Sequence, residues 1–156
     1  MSDEGRDNAG VVAPPPLIYL GFLITGLLLN KASPIRFLPK PASRLVGGSL
    51  LAGGFLLGGW FRQALQRADT PLNPQKTVTS LVVDGPFRHS RNPGYISLAL
   101  IYSGISSLAN AFGAILLLPA ALLVIQRGVI EREERYLEGK FGEEYLRYKE
   151  QVPRWF

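Results

Sequence analysis

Two short segments carry the residue types that could bind a small molecule. The first runs from Asp84 to Tyr95 and combines arginines with an amide and a phenol. The second is the adjacent carboxylate pair Glu133 and Glu134. Arginine binds carboxylates through two parallel hydrogen bonds, whereas a glutamate suits an ammonium group. If the two segments meet, they predict a site for a zwitterionic ligand.

A long uncharged window explains how the two segments could meet. Residues 92–126 contain no charged side chain, and the stretch from Ser106 to Gly113 offers a polar place to turn. A bilayer core needs about 20 apolar residues per helix, so this window is just long enough for two short spans. A hairpin of two spans returns the chain to the side it left. The arginine segment and the glutamate pair should therefore lie at one face of a membrane.

Two further uncharged windows, 8–30 and 45–61, complete a predicted all-α, polytopic membrane helical bundle. We expect about four transmembrane helices, near 14–30, 43–64, 93–108 and 111–128. They belong to a single domain of residues 14–156 behind a disordered tail of residues 1–13. A long loop covers 65–92, and residues 129–156 form a cytosolic tail with an amphipathic helix, because apolar residues recur every three or four positions from Leu137 to Val152. A soluble bundle this small could not bury four uncharged helices.

The distribution of positive charge predicts the orientation. Four spans place both termini on one side, which holds thirteen of the 17 Lys and Arg residues and includes the loop and the tail. The positive-inside rule assigns that side to the cytoplasm, at a bacterial inner membrane or its equivalent. The net charge of +5 fits anionic lipid headgroups better than nucleic acid, since the basic residues lie beside apolar spans. Membrane lipids are therefore predicted partners and nucleic acid is not.

Composition excludes several kinds of chemistry. The chain has no cysteine and a single histidine, His89, so we predict no disulfide, no thiolate chemistry and no metal site. Neither a GxGxxG nor a Walker motif is present, so no soluble nucleotide-binding fold is indicated. The amino-acid end of S-adenosylmethionine combines an ammonium with a carboxylate. It is a zwitterion of the kind that the glutamates and arginines suit.

The second span is rich in glycine. Gly54 and Gly58 form a GxxxG pair, and Ser49 with Gly53 repeats the spacing. Small residues at this spacing let helices approach closely in lipid. The pattern indicates helix packing and leaves open a homo-oligomer formed through this span.

Two motifs in the second half of the chain resemble those of a family. Residues 84–95, DGPFRHSRNPGY, are similar to the Gly-Pro-Tyr/Phe and Arg-His/Asn-Pro-x-Tyr motifs of integral-membrane methyltransferases, which include isoprenylcysteine carboxyl methyltransferases and phospholipid N-methyltransferases. The spacing from Glu133 to Val152 resembles the C-terminal half of the same signature, and Thr70 with Pro74 matches bacterial members. Asn92 stands where many members have His, and Ser97 where many have Gly. The resemblance covers roughly residues 60–156.

The resemblance implies a membrane enzyme that uses S-adenosylmethionine bound on the cytosolic side. Carried over to this chain, the cofactor-binding residues are Gly85, Pro86, Arg91, Asn92, Pro93, Tyr95, Glu133 and Glu134, and the catalytic candidates are Arg88, Glu133 and Arg154. The methyl acceptor would be lipophilic or small: an isoprenylcysteine-like carboxylate, a phospholipid amine or a thiol. A carboxylate acceptor could be held by Arg88 or Arg154. An amine could lose its proton to Glu133.

Two other functions remain open at this point. Membrane sterol reductases are similar in their C-terminal part and use NADPH, although a phosphate-bearing nucleotide would favour more basic than acidic groups. A non-enzymatic lipid-binding or assembly protein would instead depend on the glycine-rich second span.

Overall fold

The chain folds as a helical bundle, as shown by a computed structural model that describes residues 9–71 and 78–156. No strand occurs in these two ranges, and the predicted all-α class is confirmed. The helices are α1 (Pro15–Ala32), α2 (Lys40–Arg67), α3 (Pro93–Leu108), α4 (Phe112–Ile125), α5 (Glu131–Phe141) and α6 (Glu143–Gln151), with a 3-10 turn at Gly85–Arg88 and a π-helical turn at Gln126–Ile130.

Among the described residues, three helical segments are long and apolar enough to cross a membrane. They are Pro15–Ala32, Lys40–Arg67 and the continuous segment Phe112–Phe141, which joins α4 to α5 through the π-helical turn. A membrane bundle is therefore supported. The predicted span near 93–108 is the helix α3, but its 16 residues extend only about 24 Å at 1.5 Å per residue. Because a bilayer core is about 30 Å thick, a full crossing by α3 stays a prediction.

The glycines of the second span pack α2 against α3 of the same chain. A Cβ added to Gly47 would lie 2.8 Å from the backbone nitrogen of Leu108, and one on Gly54 would lie 3.0 Å from that of Ile101. A Cβ added to Gly58 would lie 2.7 Å from the hydroxyl oxygen of Ser97, which belongs to α3. This close packing is the predicted use of the GxxxG pair. Gly54 and Gly58 therefore pack within the chain, and a homo-oligomer through the second span stays a prediction.

The helix α3 lies in the middle of the bundle, in contact with α1, α2 and α4. On its other side, α1 packs on α4, where a Cβ on Gly26 would lie 2.4 Å from the Cα of Ala114. The buried Tyr102 of α3 donates a hydrogen bond to the carbonyl of Ala114 at 2.7 Å. These contacts fix the direction of α3 and α4, and thereby the hairpin that was predicted from the uncharged window.

The turn of this hairpin is anchored by Asn110. Its Oδ1 accepts hydrogen bonds from the backbone nitrogens of Phe37 and Leu38, both at 3.1 Å, and its Nδ2 donates to the carbonyl of Leu38 at 2.7 Å. The backbone of Asn110 is left-handed, with φ +50°. The side chain therefore ties the α3–α4 turn to the loop between α1 and α2.

Two predictions about the ends of the domain need correction. Residues 1–8 of the predicted disordered tail lie outside the described residues, but residues 9–13 are packed, because Val11 is buried and the nitrogen of Val12 donates to the carbonyl of Gly128 at 3.2 Å. The C-terminal tail does not form one helix. Gly142 adopts φ +51° between α5 and α6 and separates them.

Candidate ligand-binding site

The candidate site is a cavity of about 410 Å³ at the end of the bundle where α3 and α5 begin. Its volume lies within the range of roughly 300–1,000 Å³ that is typical of small-molecule sites. Apolar side chains of α2, such as Phe61 and Leu65, form one wall. The polar wall consists of residues 91–95, the first turns of α5 and two tyrosines of α6. The arginine segment and the glutamate pair meet as predicted, since Arg91 and both glutamates line this cavity.

Glu134 is the centre of an ion cluster in the polar wall. Its side chain is 8% exposed and lies between Arg91 and Arg154. Arg154 binds both carboxylate oxygens, with Nε 3.0 Å from Oε1 and Nη2 2.7 Å from Oε2. Hydrogen bonding to this carboxylate raises the pKa of Arg154 above its usual value. Two cations surround one anion, so the cluster has a surplus positive charge.

Arg91 holds that surplus charge next to the cavity. Its side chain is 10% exposed, and Nη1 lies 3.0 Å from Oε1 of Glu134. This approach is close enough for an ion pair but lacks hydrogen-bond alignment. Both Nε and Nη1 are buried without a hydrogen-bond acceptor among the described residues. A buried donor without an acceptor is costly, about 1–3 kcal/mol or more for a charged group, so these two nitrogens favour an anionic ligand.

Glu133, the neighbour of Glu134, has a different environment. It accepts a 2.6 Å hydrogen bond from the hydroxyl of Tyr95 and lines the cavity. Within residues 9–71 and 78–156 it has no ion-pair partner. Adjacent residues on a helix point about 100° apart, which explains why one carboxylate reaches the arginines and the other reaches α3. Glu133 is therefore the carboxylate that can receive a cationic group.

A C-terminal segment, residues 152–155, packs against residues 90–92 of the polar wall; we call it the strap. The nitrogen of Arg91 donates to the carbonyl of Pro153 at 2.9 Å. The carbonyl of Arg154 accepts from Nδ2 of Asn92 and from Oγ of Ser90, both at 3.0 Å. Asn92 thus orients the strap as well as lining the cavity. The strap is fixed to the arginine segment by backbone contacts and to α5 by the Arg154 side chain.

Six of the predicted site residues line the cavity together: Arg91, Asn92, Pro93, Tyr95, Glu133 and Glu134. Glu134 accepts from Arg154 through both of its oxygens and also lies beside Arg91, and its contact with a ligand ammonium stays a prediction.

Four predicted residues do not line the cavity. Gly85 and Pro86 belong to the 3-10 turn, where Gly85 has φ +64° and Pro86 is buried against other residues. Arg88 ends this turn with a side chain that is 71% exposed and paired with Asp84 at 2.7 Å. Arg154 binds Glu134, and its predicted catalytic role stays a prediction.

Several cavity residues were not predicted. Tyr145 and Tyr148 of α6 line the cavity, and the hydroxyl of Tyr148 donates to the carbonyl of Phe87 at 2.8 Å. Burial raises the pKa of Tyr145 to about 12, so it stays protonated near neutral pH. Both tyrosines belong to the amphipathic pattern of the tail, which indicated a buried face but not what that face covers. Thr70 also lines the cavity, whereas Pro74 lies outside the described residues.

The fold and the cavity define a helical membrane protein with a small-molecule site at one mouth of the bundle. The family model described as phospholipid methyltransferase matches residues 42–144, more than half of the chain. The chain therefore belongs to the phospholipid methyltransferase family, and the resemblance found in the motifs is confirmed. The matched range contains both glutamates and residues 91–95 but ends before the strap.

An uncharacterized protein of Haemophilus influenzae is 62% identical over 34 residues. The match covers 22% of this chain and 54% of that relative, so the chain spans about half the length of the curated relative it matches. No solved structure matches the chain.

Proposed function

We propose that this protein transfers a methyl group from S-adenosylmethionine to a lipophilic or small acceptor at the membrane–cytosol boundary. Membership of a methyltransferase family supports methyl transfer. The observation that carries the cofactor assignment is the buried Nε–H of Arg91 without an acceptor, in the same cavity as Glu133. An amino-acid carboxylate would satisfy that donor, and its ammonium would face the carboxylate of Glu133.

The described residues fit such a cofactor in charge as well as in volume. Among them, Arg91 is the one cation of the cavity wall, and two carboxylates accompany it. A single arginine and an available glutamate match a carboxylate and an ammonium. A nucleotide with several phosphates would favour more basic groups, so an NADPH-dependent reductase fits less well.

The chain's own residues would mainly orient the reactants and exclude water. S-adenosylmethionine, when bound, supplies an electrophilic methyl group on its sulfonium. Direct displacement needs the acceptor, the methyl carbon and the sulfur in line, and no covalent nucleophile from the protein. The apolar wall around Phe61 and Leu65 would keep water from the reacting atoms.

The positions of the charged side chains limit which of them could bind or deprotonate the methyl acceptor. Arg88 is paired with Asp84 outside the cavity, and Arg154 is bound to Glu134. Neither is placed to hold an acceptor carboxylate. An acceptor that must lose a proton would find the carboxylate of Glu133, hydrogen-bonded to Tyr95. The excess of Lys and Arg on the side of the loop and tail supports a cavity that opens to the cytoplasm.

Calorimetric titration of the protein in detergent tests the cofactor assignment. We expect S-adenosylmethionine to bind and NADPH not to bind. Arg91→Gln should weaken binding by about 100-fold or more, because it removes a buried charge and the free Nε–H donor. Arg88→Gln is the matched control, three residues away and exposed, and should bind like the unmodified protein. Absence of binding in well-folded protein, or equal effects of the two substitutions, would refute the assignment.

A further inference from the structure

The ion cluster shows why the Nε–H of Arg91 has no acceptor although a carboxylate lies beside it. An arginine next to a carboxylate favours two parallel N–H···O bonds. Arg91 instead meets Glu134 through Nη1 alone, at 3.0 Å. The guanidinium of Arg154 already occupies both carboxylate oxygens, at 3.0 and 2.7 Å. Glu134 therefore has no oxygen left in the position that a second paired arrangement would require.

We propose that Arg154 is a positioning residue: by occupying Glu134, it keeps the Nε–H of Arg91 available to a ligand carboxylate. This inference rests on the proposed function, because the ligand is taken to carry that carboxylate. Arg154 lies outside the range that the family model matches, residues 42–144. It reaches the site only because the strap is fixed to residues 90–92 by three hydrogen bonds.

Removing Arg154 should change Arg91 in a defined way. Glu134 is buried, with 8% of its side chain exposed, and would keep Arg91 as its remaining cation. Arg91 would then turn to form two hydrogen bonds to Glu134, with Nε as one donor. The ligand would have to break this pair before it could bind. Affinity should fall although no atom that touches the ligand has been removed.

Nitrogen-15 NMR of the arginine side chains in detergent micelles measures this change without any ligand. The Nε–H signal of Arg91 is assigned by its disappearance in Arg91→Lys. In Arg154→Gln we expect this signal to move downfield, because Nε–H gains a carboxylate acceptor. Lys149→Gln is the matched control: it breaks the ion pair with Glu138 of α5, the helix that also carries Glu134, and should leave the signal in place.

Affinity for S-adenosylmethionine provides the second readout. Arg154→Gln should raise the dissociation constant by about tenfold or more, and Arg154→Lys should have an intermediate effect because an ammonium cannot occupy both oxygens. The double variant Glu134→Gln with Arg154→Gln should bind more tightly than Arg154→Gln alone. The reason is that the neutral amide replacing the Glu134 carboxylate no longer competes with the ligand carboxylate for Arg91. If Arg154 had a purely structural role, the losses of affinity caused by the two substitutions would instead add.

The results separate the two proposals. An unmoved Nε–H signal in Arg154→Gln, or a double variant weaker than the single one, would overturn the positioning role. Protein that fails to bind S-adenosylmethionine at all would overturn the proposed function, whereas the ligand-free NMR comparison would still decide what Arg154 does to Arg91. Intact folding of each variant is checked by its elution volume and its thermal unfolding in the same detergent.

Discussion

The two ends of the helical bundle use polar side chains in opposite ways. At the end that holds the α3–α4 turn, the Asn110 amide accepts from two backbone nitrogens and donates to one carbonyl. At the other end, Arg91 retains two buried nitrogens without acceptors among the described residues, and Glu133 faces the same cavity. The first network is complete within the chain. The network of Arg91 and Glu133 is incomplete. Its unmet donors favour an anionic group and its available carboxylate favours a cationic group, so a ligand that carries both would complete it.

This contrast predicts that substitutions at the two ends should affect different quantities. Changes at the incomplete network should lower ligand affinity and leave the free energy of unfolding nearly unchanged. Changes at the complete network should do the reverse, since a buried polar group that loses its partners is destabilising whether or not a ligand is present.

After that of Arg91→Gln, the largest effect is expected from Glu133→Gln. The substitution removes the negative charge opposite the ligand ammonium but keeps the size of the side chain. Charge-assisted hydrogen bonds contribute about 1.5–3 kcal/mol, which corresponds to a dissociation constant for S-adenosylmethionine raised about ten- to hundredfold. Calorimetry measures the change. Glu144→Gln, at an exposed position at the start of α6, should bind within about twofold of the unmodified protein. Similar losses in both variants would show that the effect is not local to the cavity.

A smaller effect, on stability alone, is expected from Asn110→Gly. Glycine accepts the left-handed backbone at this position, where φ is +50°, so the substitution isolates the loss of the side-chain hydrogen bonds. We expect the free energy of unfolding to fall by about 1–3 kcal/mol, measured by denaturation in micelles. Affinity for S-adenosylmethionine should not change. A large loss of affinity here would contradict the separation of the two ends.

A pair of adjacent glycines in α2 should differ from each other in their effect on stability, and the smallest effect is expected from Gly48→Ala. A Cβ on Gly47 would meet the backbone of α3 at 2.8 Å, whereas a Cβ on Gly48 would have nothing within 4 Å. Gly47→Ala should therefore destabilise the bundle by about 1–3 kcal/mol through overpacking. Gly48→Ala should be neutral or stabilise it by up to about 1 kcal/mol, since alanine favours the helix. Equal thermal unfolding of the two variants would show that α2 and α3 do not pack as described.

Much of the fold follows from the uncharged windows, and the differences have physical causes. The predicted span 43–64 became Lys40–Arg67, because a helix continues beyond its apolar part as long as its backbone hydrogen bonds are satisfied. The hairpin prediction placed Tyr95 and Glu133 together, and they form a direct hydrogen bond. The break at Gly142 was harder to predict, since it depends on a positive φ that the pattern of apolar residues does not encode.

The sequence predicted most residues of the polar wall but not the different contacts that each of them makes. Arg88 and Arg91 are the same residue type three positions apart, and only the 3-10 turn decides that one is exposed and the other buried. Spacing on a helix predicted that the two glutamates diverge. That Arg154 would take both oxygens of Glu134 depends on a tertiary contact of the strap, for which no local pattern gives a signal.

The central claim is that the cavity around Arg91 and Glu133 is where methyl transfer occurs. The most direct measurement is mass spectrometry of lipid extracts and small thiols after the protein, reconstituted in membranes, is incubated with S-adenosylmethionine that carries a labelled methyl group. We expect a labelled acceptor with the unmodified protein and with Arg88→Gln, and none above background with Arg91→Gln. Label transferred equally by the Arg91→Gln protein, or transferred by none of the three well-folded proteins, would contradict the account.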